Sequence, residues 1–171
     1  KMPGYLEKWQ ELGLDFDGIA VGFLGSAKQI HIVEDAICKF KNPHTRVLVD
    51  PIMGDDGQAY ATYTKEMCRQ LGKLIAYADI ITPNLTEACI LTGEPYRKEG
   101  WKRREIEELL KRLQSMGPEK VVITGIKEGQ FLTNGVLEGN QKPCFIRTRT
   151  AGAQRPGTGD VFSSIVAGDM V

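Results

Sequence analysis

Short apolar runs alternate along this chain with longer stretches in which apolar residues recur every three or four positions. FDGIAVGF (residues 16–23) is an apolar run ending on glycine and suits a buried strand. Ser26 follows as a helix N-cap, with Ile30, Val33, Ile37 and Phe40 on one helical face, and RVLVD (46–50) reads as the next strand. The pattern then repeats. A helix over 63–76 points Met67, Leu71 and Leu74 inward, DIIT (79–82) is a strand, and a helix begins at about Leu85. Another helix carries Ile106, Leu109, Leu110 and Leu113, and KVVIT (120–124) is the strand after it. Short apolar strands separated by amphipathic helices predict an α/β fold with a mainly parallel sheet covered on both faces. GQFLTNGVLEG interrupts the rhythm, and Asn134-Gly135 as a turn signal predicts a late antiparallel hairpin.

Composition narrows this picture. With 171 residues and 42% apolar content, the chain is expected to form one globular domain with a real core. Lysine plus arginine and aspartate plus glutamate both number 22, so no basic field exists to hold nucleic acid or an anionic membrane. The expected partner is a small molecule. Cys38, Cys68, Cys89 and Cys144 form no CxxC pair, and three of them fall in predicted helices, which suits reduced thiols in a cytoplasmic protein. No run approaches a membrane span and no secretory leader is legible. The first residue is not methionine and the last helix runs out at Val171, so a fragment lacking both ends is expected. WKRREIEELLKRLQ pairs Arg104 with Glu108, Glu107 with Lys111 and Glu108 with Arg112 at four-residue spacing, the pattern of a solvated helix face.

In open parallel sheets, ligands sit beyond the carboxyl ends of the strands. Those ends carry Asp50 before PIMGDDGQAY, Thr82 before PNLTE, Thr124 before Gly125, and Asp160 in RPGTGD. Each segment also has an ordinary reading. Asn84 and Glu87 are spaced as a capping box, PIMGDDG suits a turn, and GTGD suits a glycine turn capped by Thr158 or Asp160. Taken together they describe an anion cradle at a helix start, with carboxylates and hydroxyls arriving on one edge. That set fits phosphoryl transfer. There is no GxxxxGK[ST], since LGKLI around Lys73 has the wrong context, and neither His31 nor His44 has clustered ligand partners for zinc.

VDPIMGDDG, ADIITPNLTEACILTG, VVIT and RPGTGD occur in the order and approximate spacing of the ribokinase-like small-molecule kinases, and the chain resembles the pyridoxal kinase branch of that family along nearly its whole length. The resemblance implies a three-layer α/β/α kinase that moves the ATP γ-phosphate to the 5'-hydroxymethyl group of pyridoxal, pyridoxine or pyridoxamine. It implies Asp160 as base, with Gly157 and Gly159 framing an anion hole. Glu87, Asp55 and Thr82 would serve magnesium, and Asn84, Thr158 and Asp50 the phosphates. Thr124 and Gly125 would serve the nucleotide side, with potassium as a further cation. It also implies a flap over the nucleotide at about 54–60 and a homodimer.

Phe23 stands where the family often has tyrosine, which keeps a ring for the acceptor and loses a hydroxyl. The related hydroxymethylpyrimidine kinases commonly carry cysteine where this chain has Asp160. They are the nearest alternative. From other classes, a dinucleotide-binding oxidoreductase would use Gly22, Gly25 and Asp50 but lacks a full GxGxxG, and a silent binder of vitamin B6 or nucleotide would leave Asp160 without a task.

Overall fold

The computed structural model describes residues 1–152 and 157–171. A parallel core forms first along the chain: β1 (Gly18–Val21), β2 (Arg46–Val49), β5 (Ile80–Ile81) and β6 (Lys120–Glu128) lie side by side in that order. β7 (Phe131–Glu138) and β8 (Cys144–Arg149) then extend the sheet antiparallel. Each parallel step moves the same way across the sheet. Right-handed crossovers therefore carry α2 (Ala27–Phe40), α3 (Lys65–Leu74), α4 (Leu85–Thr92) and α5 (Arg103–Gln114) to one face.

The main core lies beneath those helices. Val47, Val49, Ile81, Val121 and Ile123 meet Ile30, Ile37, Leu71, Leu74, Leu110 and Leu113 in one cluster. The alternate strand positions Leu48, Ile80 and Val122 are buried on the opposite face. There α6 (Thr158–Asp169) crosses β1, and a Cβ added at Gly18 would stand 2.6 Å from Val171 Cγ1. The result is the expected three-layer α/β arrangement, with a small second sheet of β3 (Gly54–Asp55) and β4 (Gln58–Ala59) beside it. α1 (Met2–Glu11) joins through its Trp9, whose ring meets Phe16 at 5.5 Å and Phe40 at 6.4 Å.

Local signals account for most boundaries. Ser26 and Thr64 cap α2 and α3 by accepting from the backbone N–H of Gln29 and Met67. α4 starts at Leu85, and Gly93 ends it in the left-handed conformation at φ +71°. The charged face of α5 is solvated, as its spacing implies, but its pairing differs in part. Arg104 does pair with Glu108 at 3.5 Å, but Glu107 takes Arg103 at 3.3 Å, and Arg112 leaves the helix face to reach Glu94 at 2.9 Å. The four cysteines are free, three in helices as expected and Cys144 in β8. Among the described residues no helix is long and apolar enough to cross a membrane.

The late hairpin exists, but Asn134-Gly135 is not its turn. Both residues lie inside β7, opposite Ile146 and Phe145, and the chain reverses at Gly129-Gln130, where Gly129 has φ +60°. Gly135 is instead a close-approach residue, because a Cβ there would stand 3.2 Å from Ile106 Cγ2 and 3.3 Å from Leu110 Cδ1 of the overlying helix. KVVIT also does not stop at Thr124: β6 continues to Glu128, past a register shift between Ile123 and Ile126.

These two glycines are expected to differ in their tolerance of asparagine in the full-length protein. Gly129→Ala places a side chain at positive φ and costs about 1–2 kcal/mol, whereas Gly129→Asn costs less because asparagine tolerates that conformation. Gly135→Val or Gly135→Asn forces α5 outward and costs roughly 1–3 kcal/mol. Denaturant midpoints of the four variants check this, and a Gly135→Asn as stable as wild type would remove the close-packing account.

Candidate active site

The parallel register places the carboxyl ends of β1, β2 and β5 and the Thr124 turn of β6 along one edge of the sheet. Asp50 ends β2, with its backbone N–H donating to the Val21 carbonyl at 2.8 Å, and its side chain is buried. Burial pushes its carboxyl up, against the opposing pull of the Ser163 and Thr82 hydroxyls, and the charge of Asp160 raises it further. Asp50 therefore links β2 to β5 and to the first turns of α6. Thr82 is itself buried beside that carboxyl, and among the described residues its hydroxyl makes no hydrogen bond at full bonding geometry, although it lies close enough to pull Asp50 down. A hydroxyl so loosely satisfied retains capacity for a further polar group.

PNLTE forms the capping box that its spacing predicts. The Asn84 side chain accepts from Glu87 N–H at 3.0 Å, and Glu87 Oε2 accepts from Asn84 N–H at 2.8 Å. Glu87 does more than cap. Its Oε1 accepts from Met53 N–H at 3.2 Å, and the Asn84 amide donates to the Gly54 carbonyl at 2.8 Å. The start of α4 is thereby tied to the segment after β2. Asn84 also forms a parallel bridge with Thr124, whose N–H donates to the Pro83 carbonyl at 2.9 Å.

Gly125 adopts φ +68°, and its N–H donates to Asn134 Oδ1 at 3.1 Å, so the residue expected in a turn instead steadies the irregularity that aims Thr124 at the edge. Glu87 is 3% exposed, and its carboxyl is pushed up to about 8 by burial, with Asp50 adding to the rise while the backbone N–H groups of Asn84, Met53 and Gly54 oppose it.

The segment expected as a flap is the β3–β4 hairpin. Asp56 and Gly57 turn it, at φ +48° and +85°, and Gly57 N–H donates to Thr86 Oγ1 at 2.9 Å. Asp55 is exposed on it. Tyr60, just past β4, is 42% exposed and donates its N–H to Met53 carbonyl at 2.9 Å. Burial raises its hydroxyl, and so do the charges of Glu87, Asp55, Asp160 and Asp50, so this phenol faces every acid of the site. Tyr60 was not singled out by the sequence; a tyrosine closing the glycine-bounded segment was the available signal.

α6 supplies the anion-binding geometry. Its N-cap is Gly157, left-handed at φ +82°, and no side chain caps it. Among the described residues neither Thr158 nor Asp160 performs the capping that an ordinary glycine turn implies, so the first-turn N–H groups of Thr158, Gly159 and Asp160 have no side-chain cap. Asp160 is exposed, with Oδ2 3.9 Å from where a Cβ on Gly157 would stand. Ser163, one turn on, donates to the Asp160 carbonyl at 3.2 Å and faces Asp50, a link hidden in the sequence because SSIVAG reads only as a small-residue run. The opening residues of RPGTGD before Gly157 lie outside the described residues. Phe23 follows β1 and is 53% exposed, with Tyr63 as its ring partner at 5.9 Å.

Magnesium fits this set only as an ion held largely by water and phosphate oxygens. Among the described residues no group of three or more histidine, cysteine or acidic side chains encloses a cation position, and both Glu87 oxygens are engaged by backbone N–H groups. The buried carboxyl groups of Asp50 and Glu87, which a nearby cation would help to ionise, and the Thr82 hydroxyl suit such a hydrated ion.

The raised Glu87 carboxyl makes folding proton-linked. The folded state holds this proton up to about pH 8, whereas an ordinary glutamate releases it near 4.5, so the ligand-free full-length protein is expected to lose stability as pH rises across that interval. Glu87→Gln keeps an acceptor for the cap and should flatten that slope. Thermal midpoints of both proteins across the interval measure it, and equal slopes would show that Glu87 is already ionised in the fold.

The chain is similar along nearly all of its length to known small-molecule kinases. A Bacteroides thetaiotaomicron structure described as a phosphomethylpyrimidine kinase with pyridoxal is 35% identical, superposes with a TM-score of 0.92, and aligns over 99% of this chain and 60% of that one. Pyridoxal kinase from Lactobacillus plantarum is 27% identical with a TM-score of 0.87, over 99% of this chain and 59% of that one. A curated pyridoxal kinase from Pasteurella multocida is 35% identical over 63% of this chain, which spans only 37% of that relative's length. The phosphomethylpyrimidine kinase family model matches residues 11–171, and the chain therefore belongs to that family, as its ribokinase-like motifs lead one to expect.

Proposed function

We propose that the full protein transfers the ATP γ-phosphoryl group to the 5'-hydroxymethyl group of pyridoxal or another B6 vitamer. The observation that carries this reading is the uncapped start of α6, with Asp160 in its first turn and Asp50 facing it from β2. Outward N–H groups suit the charge that develops on a transferring phosphoryl, and a carboxylate beside that phosphoryl is unfavourable unless it takes up a proton. The names of the relatives support the acceptor: a pyridoxal complex and several pyridoxal kinases align with this chain.

In this reading the acceptor hydroxyl oxygen attacks the γ-phosphorus, the bond from phosphorus to the ADP oxygen breaks, and the hydroxyl proton passes to the Asp160 carboxylate. The N–H groups at Thr158 and Gly159 hold the phosphoryl oxygens. Asp50 and Thr82 orient the polyphosphate end, Glu87 acts on it through water, and Tyr60 lies over it from the β3–β4 hairpin. Magnesium, when bound, neutralises phosphate charge. The Asn84 amide is already engaged at both ends, so its contact with a nucleotide requires the hairpin carbonyl at Gly54 to give way. Potassium near Thr124, a homodimer and a single domain over 1–171 belong to the same proposal by family likeness.

The family description names a phosphomethylpyrimidine, which makes a methylpyrimidine such as hydroxymethylpyrimidine the second acceptor to test. Full-length protein offered pyridoxal, pyridoxine and hydroxymethylpyrimidine in parallel should phosphorylate the pyridines faster, and a preference for the pyrimidine would keep the kinase and refute the acceptor. Tight NAD binding with no phosphate transfer would refute both.

Asp160→Asn should leave the thermal midpoint and ATP affinity near wild type while kcat falls about 10²- to 10⁴-fold, the usual contribution of a positioned base. A fall of less than about tenfold would remove Asp160 from that role. Glu87→Gln should weaken activation by magnesium more than it changes the thermal midpoint, since a divalent ion nearby favours the ionised form of Glu87, which glutamine cannot adopt, while glutamine preserves the cap. Activity titrated against magnesium checks this, and an unchanged titration would leave PNLTE a structural element.

A further inference from the structure

An exposed ring on a turn between two glycines has no orientation of its own, and Phe23, between Gly22 and Gly25, is in that position. What holds it is Tyr63. The two rings lie 5.9 Å apart at 63°, an edge-to-face pair, and Tyr63 is only 7% exposed.

Tyr63 is itself fixed from two sides. It immediately precedes Thr64, the side-chain cap of α3, and its N–H donates to the Tyr60 carbonyl at 2.8 Å, at the outer end of the β3–β4 hairpin. Among the described residues its hydroxyl is buried with no hydrogen-bond partner at full bonding geometry, although the Leu24 N–H approaches closely enough to oppose the rise that burial imposes on it. A phenol so weakly satisfied costs stability, so the ring more than the hydroxyl accounts for its place.

We propose that Tyr63 is a positioning residue that sets the attitude of the Phe23 ring and so selects a flat aromatic acceptor. The inference rests on the acceptor reading above. It assigns specificity to a residue outside every motif quoted for the family, and it joins the acceptor platform to the hairpin through one residue.

The test compares full-length wild type with Tyr63→Leu, Tyr63→Phe, Phe23→Leu and the double variant Phe23→Leu/Tyr63→Leu, with acceptor and ATP varied in turn. Tyr63→Leu should raise the acceptor KM about 3- to 10-fold, the range an edge-to-face ring pair contributes, with the ATP KM and kcat changed less than about twofold. Tyr63→Phe should keep the acceptor KM and hold the thermal midpoint at or above wild type. Phe23→Leu should show the same selective rise, and the double variant no further rise beyond it.

Equal rises in both KM values, an unchanged acceptor KM, a Tyr63→Phe as impaired as Tyr63→Leu, or additive effects in the double variant would each overturn the proposal. If Tyr63→Leu does not fold, an unchanged acceptor KM in Phe23→Leu or an altered one in Tyr63→Phe overturns it, and the converse pair supports it. A wild type that phosphorylates only a hydroxymethylpyrimidine refutes the vitamin B6 reading, and the ring pair is then scored on that acceptor by the same ratios. A wild type that accepts no flat heterocycle overturns both.

Discussion

A carboxyl group withdrawn from water at the start of α4 ties together the candidate functional edge of this protein. Taking Glu87 out of solvent is costly, and the cost is offset by the N–H groups of Asn84 and Met53 and by the positive end of the helix. Because those two donors belong to different segments, one side chain fixes the entry to α4, the turn after β2 and the base of the β3–β4 hairpin together. Asn84 extends the tie to β6 through its bridge with Thr124. Three strand ends that would otherwise carry independent loops are held in one frame.

That frame concentrates negative charge. Asp50 raises Glu87, Asp160 raises Asp50, and Tyr60 responds to all three together with Asp55. Opposite them stand outward N–H groups at the start of α6, left without a side-chain cap by the left-handed Gly157. A site that crowds carboxylates beside a bare helix start suits neither a lone anion nor a lone cation. It suits a polyphosphate that arrives with its own metal, because each neutralises what the other cannot.

The acceptor side is built differently. In the proposed reading the nucleotide end relies on backbone donors and carboxylates, whereas the segment after β1 offers an exposed ring paired with Tyr63, forty residues on. Substitution at this end changes shape without disturbing the charge balance at the other.

Periodicity alone determined the layering: Ile30 with Ile37, Leu71 with Leu74, and Leu110 with Leu113 can be buried together only if helices cover a sheet of short apolar strands. Local chemistry determined the caps at Ser26, Thr64 and Asn84, because each needs only residues three positions away. The same locality made Asp50, Thr82, Thr124 and Asp160 legible as strand-end and helix-start residues.

What remained hidden depends on partners distant in sequence. Asn134-Gly135 has the chemistry of a turn, yet the approach of α5 makes Gly135 a packing position, and Asn134 serves Gly125 across the hairpin. The second task of Glu87 needs Met53, the role of Ser163 needs Asp50 across the layers, and the pairing of Phe23 with Tyr63 needs the hairpin between them to fold back. A short-range pattern specifies which face a residue belongs to, whereas the group it meets there is decided only when the layers close.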